Sequence, residues 1–359
     1  MGPPRPRGAE KNKRPIGDPK PKKPKKQPKE QPKEQQSGQP IPFELQQLLL
    51  NIFKNCFLER LQTDIHPLLQ EVKGHLYNRD FLAAFGRNDY LEAYAARWSP
   101  SRVLGFLQVF VDLKDHIVPS LEGSDAGTEV CKKAVCLRGG GGAEIVAWAG
   151  FLNAMQRSQN ETGVVTIKKL EVVSIDIANW TSVIETLYTG ITTAPPISKY
   201  ASAAAQAANV RLVNPEAFIV RPHQADILNI DFSVLGPLLH DADIITIMFT
   251  LNELYSTSLS LTQKFLLQLT ACVREGALLL VGDSPGSYSS VSIDGTEKKY
   301  PMQWLLDHTL LRLGAKGEES KWVKVEEDES RWFRLREELK YPIDLENMRF
   351  QLHLYRRVG

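Results

Sequence analysis

Apolar residues recur at intervals of three and four from Phe43 to about Lys114, through FELQQLLLNIFKNCFLERLQ, FLAAF, YLEAYAARW and RVLGFLQVFVDL. That spacing keeps them on one face of an α-helix, so about four helices are predicted. Ser99 and Pro100 have the form of a helix restart, with the serine as N-cap and the proline in the first turn. From Lys132 the pattern changes. Short apolar runs, AVCL, LEVVSID, AFIV, DIITIMF and ALLLVGD, alternate with helical stretches such as AEIVAWAGFLNAMQ and TQKFLLQLTACV. Such alternation predicts an α/β fold, a parallel sheet covered by helices on both faces. The near-continuous apolar character of the runs fits strands buried on both sides. Near the C-terminus RWFRL and FQLHLYRRV read as two strands joined by a loop, an antiparallel addition at the sheet edge.

Charge divides the chain further. Residues 1–40 hold twelve Lys or Arg against four Asp or Glu, a local +8 that leaves −6 for the rest of a chain whose total is +2. With ten prolines and almost no large apolar side chain, this stretch cannot offset the entropy of ordering. It is expected to be a disordered tail whose dense lysines serve as a nuclear or nucleolar address and touch nucleic-acid phosphates. Residues 41–120 then form the helical region, SLEGSDAGTE is a linker, and 121–359 form the α/β domain. No apolar run would span a bilayer, and the N-terminus lacks the apolar core of a signal peptide, so a soluble intracellular protein is expected. The four cysteines are scattered without a zinc spacing and are expected to be buried thiols.

The candidate chemistry gathers at strand ends. In VCLRGGGGAEIVAW four glycines lie between the first strand and the first helix of the α/β part, where a ligand can approach the backbone without meeting a Cβ. Asp176 ends the second strand, where a carboxylate can accept both hydroxyl protons of a ribose. Asp226, after the third strand, is placed to accept from the exocyclic amine of adenine. FTLNEL follows the fourth strand. These positions indicate a nucleoside-shaped ligand. Glu144 in the first turn of the helix would oppose a pyrophosphate, which favours S-adenosylmethionine over a dinucleotide.

The order AVCLRGGGGAE, VVSIDIANW, QADIL, ADIITIMFTLNELYS and ALLLVGDSPGSYS resembles the class I S-adenosylmethionine-dependent methyltransferases. More closely, YLEAYAARWSPSR, FTLNELYS, RWFRL and NMRFQLHLYRR resemble the fungal 25S ribosomal RNA uracil-N3 methyltransferase family, from about Asn88 to the C-terminus. The resemblance implies a Rossmann-like fold and methylation of one uridine of large-subunit ribosomal RNA during nucleolar ribosome assembly. It puts Gly139, Gly141 and Ala143 at the small-residue places of the cofactor loop, with Gly140 between them. Asp176 would make the ribose contact and Asp226 the adenine contact, with Ile177, Ile227 and Thr250 as further cofactor-binding positions. Leu137 departs from the pattern, which has an acid there for the methionine amino group. Arg97, Trp98 and Arg102 could fold over the cofactor, a guanidinium suiting its carboxylate.

For the reaction, Asn252 is the candidate to hold the base edge, Glu253 to accept the N3 proton, and Tyr255 to stack on or border the base. SPGSYSS would border the substrate mouth, and Arg331, Trp332, Arg334 and Arg349 mix cations and aromatics as RNA contacts do. The expected partner is ribosomal RNA or a preribosomal particle, bound by a monomer in the nucleus and nucleolus, with no metal and no membrane. Two alternatives stay open: a small-molecule methyltransferase, and a catalytically silent S-adenosylmethionine-binding assembly factor.

Overall fold

The computed structural model describes residues 2, 41–118, 129–162, 166–203, 206, 209–286, 288–293, 296–311 and 319–359. The basic tail and nearly all of the linker lie outside them. Each apolar run of the α/β part is a strand: β1 (Glu129–Leu137), β2 (Thr166–Asp176), β3 (Phe218–Gln224), β4 (Ile244–Met248) and β5 (Leu278–Asp283). They pair in the order β3-β2-β1-β4-β5, all parallel. The sheet continues with β9 (Met348–Arg357) and then β8 (Trp322–Phe333). The expected antiparallel addition is there, but the reversed strand is not the edge. β9 runs antiparallel to both neighbours, and β8 outside it forms the border. A small hairpin, β6 (Tyr288–Ile293) with β7 (Thr296–Pro301), follows β5, so part of SPGSYSS is strand rather than loop.

Alternation along the strands splits the core in two. Ala134 and Cys136 of β1 and Ile244 and Met248 of β4 join one cluster, while Val135, Leu137, Ile245 and Ile247 join the other. The first cluster is closed by α8 (Ala143–Thr162), α9 (Thr181–Thr192) and the helical region; the second by α10 (Phe232–Leu239), α11 (Leu251–Thr257), α12 (Leu259–Cys272) and α13 (Met302–Leu310). Leu137 is fully buried in this second cluster. An acid there would be desolvated among hydrocarbon side chains, which is the physical reason this position is apolar.

The helical region has more breaks than its periodicity suggests: α1 (Phe43–Cys56), α2 (Leu58–Gln62), α3 (His66–Tyr77), α4 (Phe81–Ala84), α5 (Asn88–Arg97), α6 (Ser99–Asp112) and α7 (Lys114–Ile117). It shares the first apolar cluster with the sheet. Phe110 of α6 stacks on Trp148 of α8 at 3.9 Å between centroids, an aromatic pair that adds ~1 kcal/mol beyond its burial. Of the four cysteines only Cys136 is buried, and Cys131 is exposed. No helix among the described residues is long and apolar enough to cross a membrane.

Candidate active site

The C-terminal ends of β1, β2, β4 and β5 meet where the chain turns into α8 and α11, the edge at which open α/β sheets bind ligands. The four glycines are explained mainly by the protein itself. A Cβ on Gly139 would lie 2.7 Å from Glu144 Oε2, one on Gly140 1.9 Å from the Trp180 ring, and one on Gly141 3.0 Å from Tyr94. Gly142 has φ +78° and faces Leu187. The turn is therefore glycine-rich because side chains from α5, α8 and α9 close on it, a correction to the expectation that a ligand alone sets the need. Ser99 does not cap α6 either; its hydroxyl donates to the Gly141 carbonyl at 2.5 Å and ties the helical region to the turn.

A cavity of about 80 Å³ lies against Gly139 and Gly141, lined also by Glu144, Arg102, Phe249 and Thr250. Arg102 and Phe249 continue into an adjoining pocket of about 260 Å³ with Arg97, Trp98, Ser284 and Arg349. A larger concavity of about 730 Å³, between α1 and residues 338–342, is remote from the strand ends and carries no site residue. Arg102 thus touches both cavities by the turn. Arg97, mostly buried, lines the larger of them, ion-paired with Glu346 from the β8–β9 connection and with its Nη1 buried and unpartnered. Phe249 holds φ +61°, rare and strained for a bulky residue, while its N–H donates to Gly282.

Two buried carboxylates flank the turn. Asp176, 9% exposed, accepts from the Gly140 N–H at 3.2 Å and the Ala178 N–H at 3.0 Å. Burial raises its pKa, and those N–H donors and Arg138 partly offset the rise. Ile177 is half-buried next to it. Glu144 is 3% exposed and accepts from the Thr246 hydroxyl of β4. Burial pushes its carboxyl up to about 7, with the charge of Asp176 adding to the rise and Thr246 and Arg102 opposing it. The sequence marks Glu144 only as an obstacle to phosphate; its return beneath Gly139 depends on how α8 sits on β4. Asp226 spends both carboxylate oxygens on its own turn, accepting from Leu228 N–H and Asn229 Nδ2, and Ile227 packs into the second cluster at 4% exposure.

At the end of β4, Thr250 lines the smaller cavity with its buried hydroxyl unpartnered, as is Asn252 Oδ1. Glu253 Oε2 has no hydrogen bond and lies 3.9 Å from Arg79. Asn252 and Glu253 do not cap α11. That task falls to Asp283 at the end of β5, which accepts the Asn252 N–H at 3.0 Å. Asp283 is 4% exposed, and burial raises its pKa against the pull of the Asn252 and Ser284 N–H groups. Its signal in the sequence is that ALLLVGD closes on an acid just as LEVVSID does. Tyr255 is a correction: it is 2% exposed inside the second cluster, on the buried side of α11, and does not border the pocket. Phe249 and Trp98 are aromatics that do. Arg331 is a second correction, held by Asp112 of α6 at 2.7 Å with little exposure.

A seven-stranded sheet with one reversed strand, a glycine turn after β1 and an acid closing β2 defines a Rossmann-like methyltransferase. The chain belongs to the family described as "Putative SAM-dependent methyltransferase", whose model matches residues 53–356. It is 33% identical over 330 residues to the 25S rRNA (uridine(2843)-N(3))-methyltransferase of Saccharomyces cerevisiae, covering 86% of this chain and 85% of that one. Among solved structures it is similar to the N-methyltransferase NodS of Bradyrhizobium japonicum bound to S-adenosyl-l-homocysteine (13% identity, 75% of this chain, 97% of that chain, TM-score 0.36). A methyltransferase of Clostridium acetobutylicum is matched at 9% identity, covering 72% of this chain and 92% of that chain, with TM-score 0.34.

The residues fit S-adenosylmethionine, this family's cofactor. Asp176 offers a buried acceptor suited to ribose hydroxyls. Glu144 lines the cavity as a buried carboxylate whose hydrogen-bond partner is the neutral Thr246, suited to a cation. Arg102, across the same cavity, suits a carboxylate. Among the described residues no cluster of His, Cys, Asp or Glu could hold a metal.

Proposed function

We propose that this protein methylates N3 of a uridine in large-subunit ribosomal RNA. The observation that carries the reading is its 33% identity, across 86% of the chain, to a yeast enzyme named for that reaction. The pocket supports it, because its three arginines and two aromatic rings suit an unpaired base flanked by phosphates. Bound S-adenosylmethionine supplies the methyl group.

The chain's own part is positioning and one proton. Phe249 lines the pocket and borders the base; just beyond it in the chain, Asn252, whose buried Oδ1 has no partner, holds the base edge, and Glu253 takes the N3 proton directly or through water. Asp176, Ile177, Gly139, Gly140, Gly141, Asp226, Ile227, Thr250 and Arg97 form or support the cofactor's surroundings, with Arg102 and Glu144 added. We further place the protein in the nucleus and nucleolus, acting as a monomer on RNA or a preribosomal particle, on the strength of its lysine-rich N-terminal stretch.

The test is to incubate purified protein with labelled S-adenosylmethionine and either protein-free large-subunit RNA or preribosomal particles, then digest to nucleosides for mass spectrometry. N3-methyluridine is expected. Its absence from every RNA and particle preparation overturns the reading.

A further inference from the structure

The folded part is acidic by sequence, and two of its cations stand together beside the pocket. Along β8 the acids Glu326, Glu327, Asp328 and Glu329 lie in the middle, after Lys324 and before Arg331 and, just beyond the strand, Arg334. Glu327 is engaged by Lys324 at 2.8 Å. The end that carries Arg331 and Arg334 is beside the pocket, since Phe333 pairs with Met348, a pocket-lining residue, and Trp332 pairs with Arg349, another.

Trp332 is 37% exposed, large for an indole, and two guanidiniums stand over its ring: Arg334 at 4.7 Å from the centroid and Arg349 at 5.6 Å. Arg349 is further held by its Nε–H donating to Ser330 Oγ at 2.8 Å. Arg331, in the same run, points instead into the ion pair with Asp112 and is not part of this surface. Stacking on the indole removes rotamer freedom from both arginines before any ligand arrives, which lowers the entropy lost on binding.

We propose that Trp332, Arg334 and Arg349 form a clamp for the phosphates of single-stranded RNA next to the nucleotide that enters the pocket, with Trp332 as the platform that aims the two guanidiniums. This rests on the reading of the protein as an RNA methyltransferase and adds where the RNA is held. Arginine suits the role because its planar fork pairs with phosphate oxygens while its face stays on the ring. The strand must be unpaired, because an A-form duplex buries the N3 edge of uridine in its base pair and keeps it from the pocket.

The experiment measures binding of a labelled single-stranded oligouridine of roughly twenty nucleotides, longer than a single site, by fluorescence anisotropy across a salt series. Replacing both arginines (Arg334→Ala with Arg349→Ala) is expected to weaken binding about tenfold or more at low salt. The slope of log K against log salt should shrink by about 1.4, or 0.7 for each lost phosphate contact. Trp332→Ala should weaken binding about three- to tenfold with little change in slope, because the charges remain but are no longer aimed. Trp332→Phe should recover most of that loss, and Arg221→Ala, on the far edge at β3, should change nothing. Cofactor affinity, followed by calorimetry, should stay constant throughout. Variants that bind like wild type with the same slope overturn the clamp, as does equal affinity for a duplex of the same length. If wild type still methylates RNA while the variants lose nothing, only the clamp falls; if wild type neither binds nor methylates any RNA, the functional reading falls with it.

Discussion

Gly140→Ala isolates the packing of the glycine turn. The φ of Gly140 is not in the positive region, so alanine meets no backbone strain, and the perturbation is one methyl group. That methyl would sit 1.9 Å from Trp180 Cδ1 and 2.1 Å from Nε1, so the indole must retreat by more than an ångström. It has little room, being 4% exposed and packed against Phe85 at 5.3 Å and Tyr94 at 5.7 Å. Overpacking of this kind costs ~1–3 kcal/mol. A smaller opposing gain, about 0.4–1 kcal/mol, comes from the stiffer unfolded chain. Urea unfolding of Gly140→Ala should therefore show a lower midpoint at unchanged slope, a net loss of about 1–2 kcal/mol. Trp180→Leu alone should be destabilising through the cavity it leaves. Combined with Gly140→Ala it should cost less than the sum of the two by at least about 1 kcal/mol, because the methyl then occupies vacated space. Additivity within about 0.5 kcal/mol would show that the indole is not what keeps this position glycine.

Glu144 makes stability depend on pH. Its carboxyl titrates at about 7 in the fold against 4.5 for the ordinary group, so the folded state keeps a proton that the unfolded chain has released. The stabilisation is complete below about 4.5 and is lost as pH rises to about 7, which at ~1.4 kcal/mol per pH unit makes about 3.5 kcal/mol. Glu144→Gln, neutral at every pH, should remove that part of the decline in urea titrations between about pH 4.5 and 7; identical profiles would mean Glu144 is not the group. Asp176→Asn should weaken S-adenosylmethionine binding about 10- to 100-fold by calorimetry, as expected for losing a charged acceptor, and unchanged affinity removes its ribose role. Tyr255→Phe should leave methyl transfer as it was, since the ring lies in the second cluster; a large fall in turnover would return Tyr255 to the site.

Most of the architecture was legible because strands and helices announce themselves by period. All five apolar runs are parallel strands, and the position of Asp176 at the end of β2 is legible because a carboxylate stands out at the close of an otherwise apolar strand. Asp283 carried the same signal. Tyr255 was misplaced because which face of α11 a residue occupies depends on how the helix rolls against the sheet, and Phe249 took its place through a backbone conformation that no propensity suggests.

What the sequence determined by itself, then, was the order of elements and the acid and glycine positions at their ends, because these rest on local periodicity and on contacts between neighbours in the chain. What only the tertiary structure decided was which distant side chains converge. Glu144 meets Thr246 from 102 residues away, Ser99 fastens the turn at Gly141, and Arg349 comes beside Arg97 and Arg102 across the length of the protein. Those pairings are set by how α6 and α8 pack on the sheet and how β9 inserts beside β5. The packing energy that fixes them is spread over the whole core, so no short stretch of sequence contains it.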